Sequence, residues 1–366
     1  MGIPLYFKII SDKFDNIIVD DITDKDSLFL DLNCAIHPCC RKILENYNSN
    51  DITKLENKMI HETLHYIEKL FNIVKPQFLY IAIDGVAPFA KMNQQRLRRY
   101  KSIQDRKKQN EIKKKYGEDT INTLQWDTNA ISPGTKFMDK LCLKIQNELR
   151  NNKLYNNIKY YFSDIDEEGE GEHKIINYIK NNPLNNNIII YGLDADLIML
   201  SFVSHKNNIY LLREALEFGK PILNKFLYLN IDVLKYHIIK DIQNKMLSID
   251  HTLLFDTDKL FNIMDDYIFI CFMVGNDFLP NLLPYNLRND GLMNLLNTYI
   301  EMYAIFNEHL VDIKHLKINF NFLKRFVNKI MEKEDQLLQD MSYRRKKFRL
   351  NRHYKSDIEK ELDLLN

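Results

Sequence analysis

Five places in this 366-residue chain set carboxylates where an α/β protein would gather them. Asp31 follows Leu28-Phe29-Leu30, Asp84 follows Ile81-Ala82-Ile83, and Asp194 and Asp196 follow the apolar run that ends in Tyr191. Glu170 and Glu172 close an acidic stretch, 164–172, that contains six carboxylates and no Lys or Arg, and Gly275-Asn276-Asp277 follows the apolar run 268–274. Ligands of an open α/β sheet collect beyond the carboxyl ends of its strands, so these seven acids are expected to converge there. Unneutralised, they would repel one another by several kcal/mol and their pKa values would rise. Hard oxygen donors without His or Cys suit Mg²⁺ or Mn²⁺. Two such ions ~4 Å apart serve in-line phosphodiester hydrolysis, one activating water and the other stabilising the leaving oxygen. The i, i+2 spacing of Glu170/Glu172 and of Asp194/Asp196 lets each pair face one centre from an extended chain. Each acid also has a plainer reading, since acidic Gly-containing stretches are commonly solvated loops and strand-end Asp residues commonly cap helices. Capping does not require apolar runs to end in acid so repeatedly.

A second constellation is basic. Lys91, Gln95, Arg98 and Arg99 stand at i, i+4, i+7 and i+8, one face of a helix that follows Asp84 directly. Such a face either grips a terminal phosphate, with Arg giving paired contacts and Gln an amide donor, or is simply solvated. Total charge does not decide, because 51 Lys and Arg against 50 Asp and Glu leave +1. Distribution is more telling: across 91–115 eleven Lys and Arg face only Asp105 and Glu111. A polyanion in one place and cations in another fit this segregation.

The elements that must position these groups follow from pattern. Short apolar runs at 27–32, 78–83, 159–162, 187–191 and 208–212 read as strands, with helices between them. The fold class expected is α/β, a mostly parallel twisted sheet with helices on both faces. Over 54–74 the residues Leu55, Met59, Leu64, Ile67, Leu70 and Phe71 form one stripe, and Pro76 blocks continuation. The polar segment 94–116 has no such stripe and should project as a helix or arm. Ser132-Pro133 is expected to open a helix through about 149, with Pro in its first turn. The domain reading is one large domain over 1–340 and a basic tail over 341–366, the tail containing Arg344-Arg345-Lys346-Lys347-Phe348-Arg349.

The charged fraction of 28% and the hydrophobic fraction of 45% are those of an ordinary globular chain. Cys34, Cys39, Cys40, Cys142 and Cys271 are odd in number and lack metal-ligand spacing, which reads as reduced thiols of an intracellular protein. The compartment expected is the cytoplasm rather than the nucleus, with no membrane segment. Tyr6 stands where a myristoylation signal needs Ser or Thr. His61-Glu62-Thr63-Leu64-His65 fits a zinc-protease pattern, but it falls on the polar side of its helix and has no third ligand nearby.

Several ordered blocks resemble the first conserved region of the XRN exoribonucleases. They are Met1-Gly2-Ile3-Pro4, Leu30-Asp31-Leu32-Asn33 with His37, Asp84-Gly85-Val86-Ala87-Pro88 running into Ala90-Lys91-Met92-Asn93-Gln94-Gln95-Arg96, and Ser132-Pro133-Gly134-Thr135. Further on come Gly169-Glu170-Gly171-Glu172-His173-Lys174, the run from Gly192 through Asp194 and Asp196 to Leu200, Leu212-Arg213-Glu214, and Gly275-Asn276-Asp277-Phe278-Leu279-Pro280. The resemblance, over about residues 1–340, implies a PIN/flap-nuclease-like fold and a Mg²⁺-dependent enzyme that degrades single-stranded, 5′-monophosphorylated RNA. It implies that Asp31, Asp84, Glu170, Glu172, Asp194, Asp196 and Asp277 hold metal. It also implies that Lys91, Gln95, Arg98 and Arg99 bind the 5′-monophosphate and that His37 stacks on a terminal base. Phe89 stands where family members place Arg. The Trp that completes the clamp opposite His37 in the family is not matched by Trp126, which leaves the clamp either to another chain or to the tail aromatics Tyr343, Phe348 and Tyr354. A monomer is expected. The alternatives are a flap-type nuclease acting on DNA and a silent RNA-binding factor.

Overall fold

The apolar runs become strands because each is short and bounded by polar turns, and most are rich in β-branched or aromatic residues. The computed structural model describes residues 6–47, 51–117, 126–184, 186–217, 220–276, 278–285, 287, 290–350, 356, 357, 359 and 361. It opens with α1 (Tyr6–Lys13), β1 (Ile18–Val19), β2 (Ser27–Asp31), α2 (Asn33–Glu45), α3 (Ile52–Val74), β3 (Phe78–Ala82), α4 (Phe89–Lys115), α5 (Lys136–Asn151), β4 (Lys159–Ser163) and α6 (Gly171–Asn181). There follow β5 (Ile188–Tyr191), α7 (Asp196–Val203), β6 (Ile209–Glu217), β7 (Lys220–Asn230), α8 (Ile231–Ile249), α9 (Thr257–Met273), α10 (Gly291–Phe306), β8 (Val311–Asp312), β9 (Lys317–Ile318), α11 (Phe320–Met331) and α12 (Glu334–Leu350). This is the expected mixed α/β architecture. The chain forms two compact units, Lys25–Asn177 with Asn351–Asn366, and Met1–Asp24 with Tyr178–Leu350.

In the first unit β2, β3 and β4 run parallel, Ser27 opposite Phe78 and Phe78 opposite Lys159. Parallel neighbours need crossovers, supplied by α2 and α3 and then by α4 and α5. Helix α3 buries Leu55, Met59, Ile60, Ile67, Leu70 and Phe71; Asp51 caps it by accepting the Lys54 N–H, and Lys75 ends it in the left-handed region. Leu64 is only half-buried, and Thr63 and Ile60 widen the stripe instead. His61 and His65 are exposed and Glu62 accepts from Lys42 at 2.6 Å, so this helix is a crossover with a solvated polar face. Helix α4 buries one residue, Lys91, and otherwise stands clear as the sequence predicts. The start of α5 differs from expectation: Thr135, not Pro133, sets it, because its hydroxyl accepts the Met138 N–H while Ser132-Pro133-Gly134 forms the turn before it.

In the second unit β5 and β6 are parallel, β6 and β7 antiparallel, and β1 pairs antiparallel with β7. The run Ile268 to Met273 is the end of helix α9, and the basic run from Arg344 lies in α12. Asp266, fully buried in α9, accepts from the Tyr299 hydroxyl at 2.6 Å, from His309 Nδ1 at 2.9 Å and from the Val311 N–H at 2.9 Å. One carboxylate thereby ties α9 to α10 and β8. Asp266→Ala leaves two buried donors and the half-buried His309 without an acceptor and is expected to cost about 3 kcal/mol or more of stability, read as a lower urea midpoint. Among the described residues no helix is long and apolar enough to cross a membrane.

Candidate active site

The first unit brings three of the expected acids to the ends of its strands. Asp31 closes β2 and is 7% exposed; its Oδ2 accepts from Cys34 Sγ at 3.0 Å. Asp84 lies two residues past β3, where Asn33 Oδ1 accepts its backbone N–H at 3.2 Å. Between the two carboxylates sits Gly171, the first residue of α6. Its N–H donates to Asp84 Oδ1 at 2.7 Å, and a Cβ built on it would lie 2.8 Å from Asp31 Oδ1 and 3.5 Å from Asp84 Oδ1. Glycine is needed here because a side chain would occupy the space between the acids.

The acidic stretch is laid against β3 by its own backbone. Gly85 N–H donates to Gly169 O at 2.8 Å and Gly169 N–H to Val86 O at 2.9 Å, while Gly169 takes φ +101°. Lys174, four residues after Glu170 and nearly buried, donates to Ile83 O at 2.9 Å and Asp164 O at 2.8 Å. These ties carry Glu170 inward to 6% exposure. Glu170 Oε2 meets Lys91 Nζ at 2.7 Å, and Glu170 Oε1 is buried with no hydrogen-bond partner among the described residues. Glu172 lies in the first turn of α6 with Oε1 4.0 Å from His173 Nε2. Burial raises the Asp84 pKa above the carboxylate norm and Glu170 raises it further; the Gly171 N–H, Lys91 and Lys174 oppose them.

The basic helix divides by depth. Lys91 is buried against Glu170, Gln95 is half-buried, and Arg98 and Arg99 are exposed, with Arg99 Nη2 donating to Ser132 Oγ at 2.9 Å. His37 has an exposed ring on α2, and its pKa is lowered by desolvation and then by Arg41 and Arg98. His37 and Arg98 are thus electrostatic neighbours. Phe89, at the start of α4, is 78% exposed.

Asp194 and Asp196 belong to the second unit, half-buried between β5 and α7. Their turn is held by Arg213 Nη2, which donates to Leu193 O at 2.7 Å while the guanidinium lies 4.0 Å from the centre of the Phe7 ring. Asp277 lies outside the described residues. Sequence reasoning assigned no role to Cys34, Asn33, Lys174 or Arg213. Asn33, Lys174 and Arg213 stand in the blocks that carry the resemblance, and Lys174 also at i+4 from Glu170; Cys34 carried no such signal.

Among the described residues no three His, Cys, Asp or Glu side chains stand close enough to hold a metal ion. In kind the donors fit a hard divalent cation: all are oxygens, one is buried with no hydrogen-bond partner among the described residues, and the Asp84 pKa is raised by burial first and by Glu170 next. Asp31, Asp84, Glu170 and Glu172 are the residues of this unit that would hold it.

The first unit is thus a parallel α/β unit with strand-end carboxylates beside a basic helix. The comparisons make the family specific. Residues 1–215 match the model described as XRN 5′-3′ exonuclease N-terminus, and 255–365 match Xrn1 helical domain. The chain belongs to the XRN 5′-3′ exonuclease family. It is 34% identical to 5′-3′ exoribonuclease 1 of Saccharomyces cerevisiae over 92% of its own length and 23% of that protein's. It is 33% identical to 5′-3′ exoribonuclease 1 of Homo sapiens, over 87% of this chain and 20% of that one. It is 30% identical to 5′-3′ exoribonuclease 2 of Gallus gallus, over 82% and 39%. The chain therefore spans well under half the length of these relatives. Metal dependence is the usual property of the family.

Proposed function

We propose that this chain hydrolyses single-stranded RNA from a 5′-monophosphorylated end, one nucleotide at a time. The observation that carries this reading is the carboxylate set around Gly171 with Glu170 paired to Lys91, the first basic residue of the helix face proposed to receive the 5′ phosphate. Asp31, Asp84 and Glu170, with Glu172, Asp194, Asp196 and Asp277 as further ligands, are proposed to hold two Mg²⁺ or Mn²⁺ ions. When bound, these would supply an activated water and charge neutralisation at the leaving oxygen. The chain's own residues do the rest. Gly171 leaves room between the acids, Gln95, Arg98 and Arg99 fix the terminal phosphate and hence the register of the first nucleotide, and His37 offers a ring for its base.

The test compares Mg²⁺-dependent degradation of matched RNAs bearing 5′-monophosphate or 5′-hydroxyl ends with that of the same DNA. Preferential loss of the 5′-monophosphorylated RNA supports the reading. Equal loss of DNA favours a flap-type nuclease, and binding without cleavage favours a silent RNA-binding factor. Arg98→Ala is expected to reduce the preference for the 5′-monophosphate about tenfold, since a charge-assisted contact to phosphate is worth about 1.5 kcal/mol or more. An undiminished preference would return Arg98 to the role of a solvated side chain.

A further inference from the structure

The Lys91–Glu170 pair does more than the phosphate-binding role proposed for Lys91 requires. Both side chains are nearly buried, at 9% and 7% exposure, and their charged atoms meet at 2.7 Å. An ammonium placed there satisfies Glu170 Oε2, while Oε1 stays buried with no hydrogen-bond partner among the described residues. A buried carboxylate with an acceptor to spare attracts any cation that offers more than one contact. Lys174, the neighbouring cation, already donates to Ile83 O and Asp164 O, so it holds the loop and is committed there.

We infer that Lys91 is a displaceable counter-ion that couples cation binding by the carboxylates to capture of the 5′ phosphate. The inference rests on the function proposed above. With the carboxylates free of metal, Lys91 neutralises Glu170. A divalent cation taking Glu170 as ligand removes that need and repels the ammonium. Lys91 sits in the first turn of α4, on the face that carries Gln95 and Arg98, and its four-carbon stem lets the charge swing along that face. A phosphate bound there receives it. The reverse order has the same sign: a phosphate that draws Lys91 away leaves Glu170 and Asp84 crowded and uncompensated, which strengthens their hold on a cation. Linkage makes the two effects equal in size. The device ties readiness of the acidic centre to the presence of a 5′-phosphorylated end.

Calorimetric titration of the full chain with Mg²⁺, with and without a saturating nucleoside 5′-monophosphate, and the converse titration, test this. Each ligand is expected to tighten the other about five- to tenfold, and the matching 5′-hydroxyl nucleoside to do nothing. In Lys91→Met, Mg²⁺ should bind several-fold tighter without phosphate and gain nothing from adding it. Glu170→Gln should abolish the mutual effect as well. The wild-type titrations decide the matter even if either variant fails to fold. If the monophosphate binds and is the preferred RNA end, yet its affinity is the same with and without Mg²⁺, the coupling is refuted while the proposed function stands. If the monophosphate does not bind and the 5′ end does not influence cleavage, both fail together.

Discussion

Gly85→Ala is expected to lower RNA hydrolysis at least about a hundredfold while leaving 5′-phosphorylated RNA bound. The added Cβ would fall 1.8 Å from the carbonyl oxygen of Glu167 and 2.8 Å from its carbon. These are backbone atoms and cannot rotate aside, so the whole 165–170 stretch must lift. Two hydrogen bonds clamp that stretch, Gly85 N–H to Gly169 O and Gly169 N–H to Val86 O, and Glu170 is the next residue along. Lifting the stretch moves Glu170 away from Asp84 and Lys91, and a displacement of about 1 Å in a catalytic group costs about a hundredfold. Arg98 and Arg99 stand on the exposed part of α4, outside this clamp, so binding should survive. Two lost hydrogen bonds predict a stability loss of about 1–3 kcal/mol. Single-turnover rates and equilibrium binding on one 5′-monophosphorylated RNA separate the two effects, with Val86→Ala at an exposed neighbour as the control. Full turnover in Gly85→Ala would show that the position of the acidic stretch does not matter to the chemistry.

The acids were legible because strands advertise their ends. The run that ends in Ile81-Ala82-Ile83 came out as the expected strand with Asp84 just past it, whereas the apolar run before Asp277 is the end of helix α9. β2, β3, β4 and β5 accordingly match their expected bounds to within a residue. β6 runs five residues further than its apolar segment, through Arg213 and Glu214, and β7 had no signal of its own. Both are explained by partnership: the ladder from Tyr210 opposite Asn230 to Glu217 opposite Lys220 supplies backbone hydrogen bonds that composition does not show, and a register shift after Glu214 absorbs its irregularity. The basic helix was legible in period but not in depth. Spacing puts Lys91 and Arg98 on one face, yet only the first turn of α4 packs inward, so Lys91 is buried on a carboxylate and Arg98 meets solvent. Nor could spacing show that Gly85 and Gly171 mark the two closest approaches in the site, since a missing Cβ has meaning only against what it would strike.

Asp84→Asn carries the largest expected loss of function together with a gain in stability. Asparagine keeps the volume of the side chain and an Oδ1 that can still accept the Gly171 N–H, so the backbone around α6 should not move. What it removes is charge. If Asp84 helps to hold the cation that activates water, hydrolysis should fall about a thousandfold, the scale of losing one electrostatic element of a catalytic centre. The same charge burdens the metal-free fold. Burial first, and Glu170 second, push the Asp84 pKa upward, so the ionised form is less favourable in the folded chain than in the unfolded one. At neutral pH ionised Asp84 therefore destabilises the fold, and that burden fades as pH falls through the raised pKa and the folded carboxyl takes up its proton. Without divalent cation, Asp84→Asn should melt above wild type at pH 7, with the gap closing toward acid pH. Mg²⁺ should then raise the wild-type melting temperature more than the variant's, because only the wild type has the repulsion for the cation to relieve. A variant that melts at the wild-type temperature at every pH, with and without Mg²⁺, would remove Asp84 from the cation site.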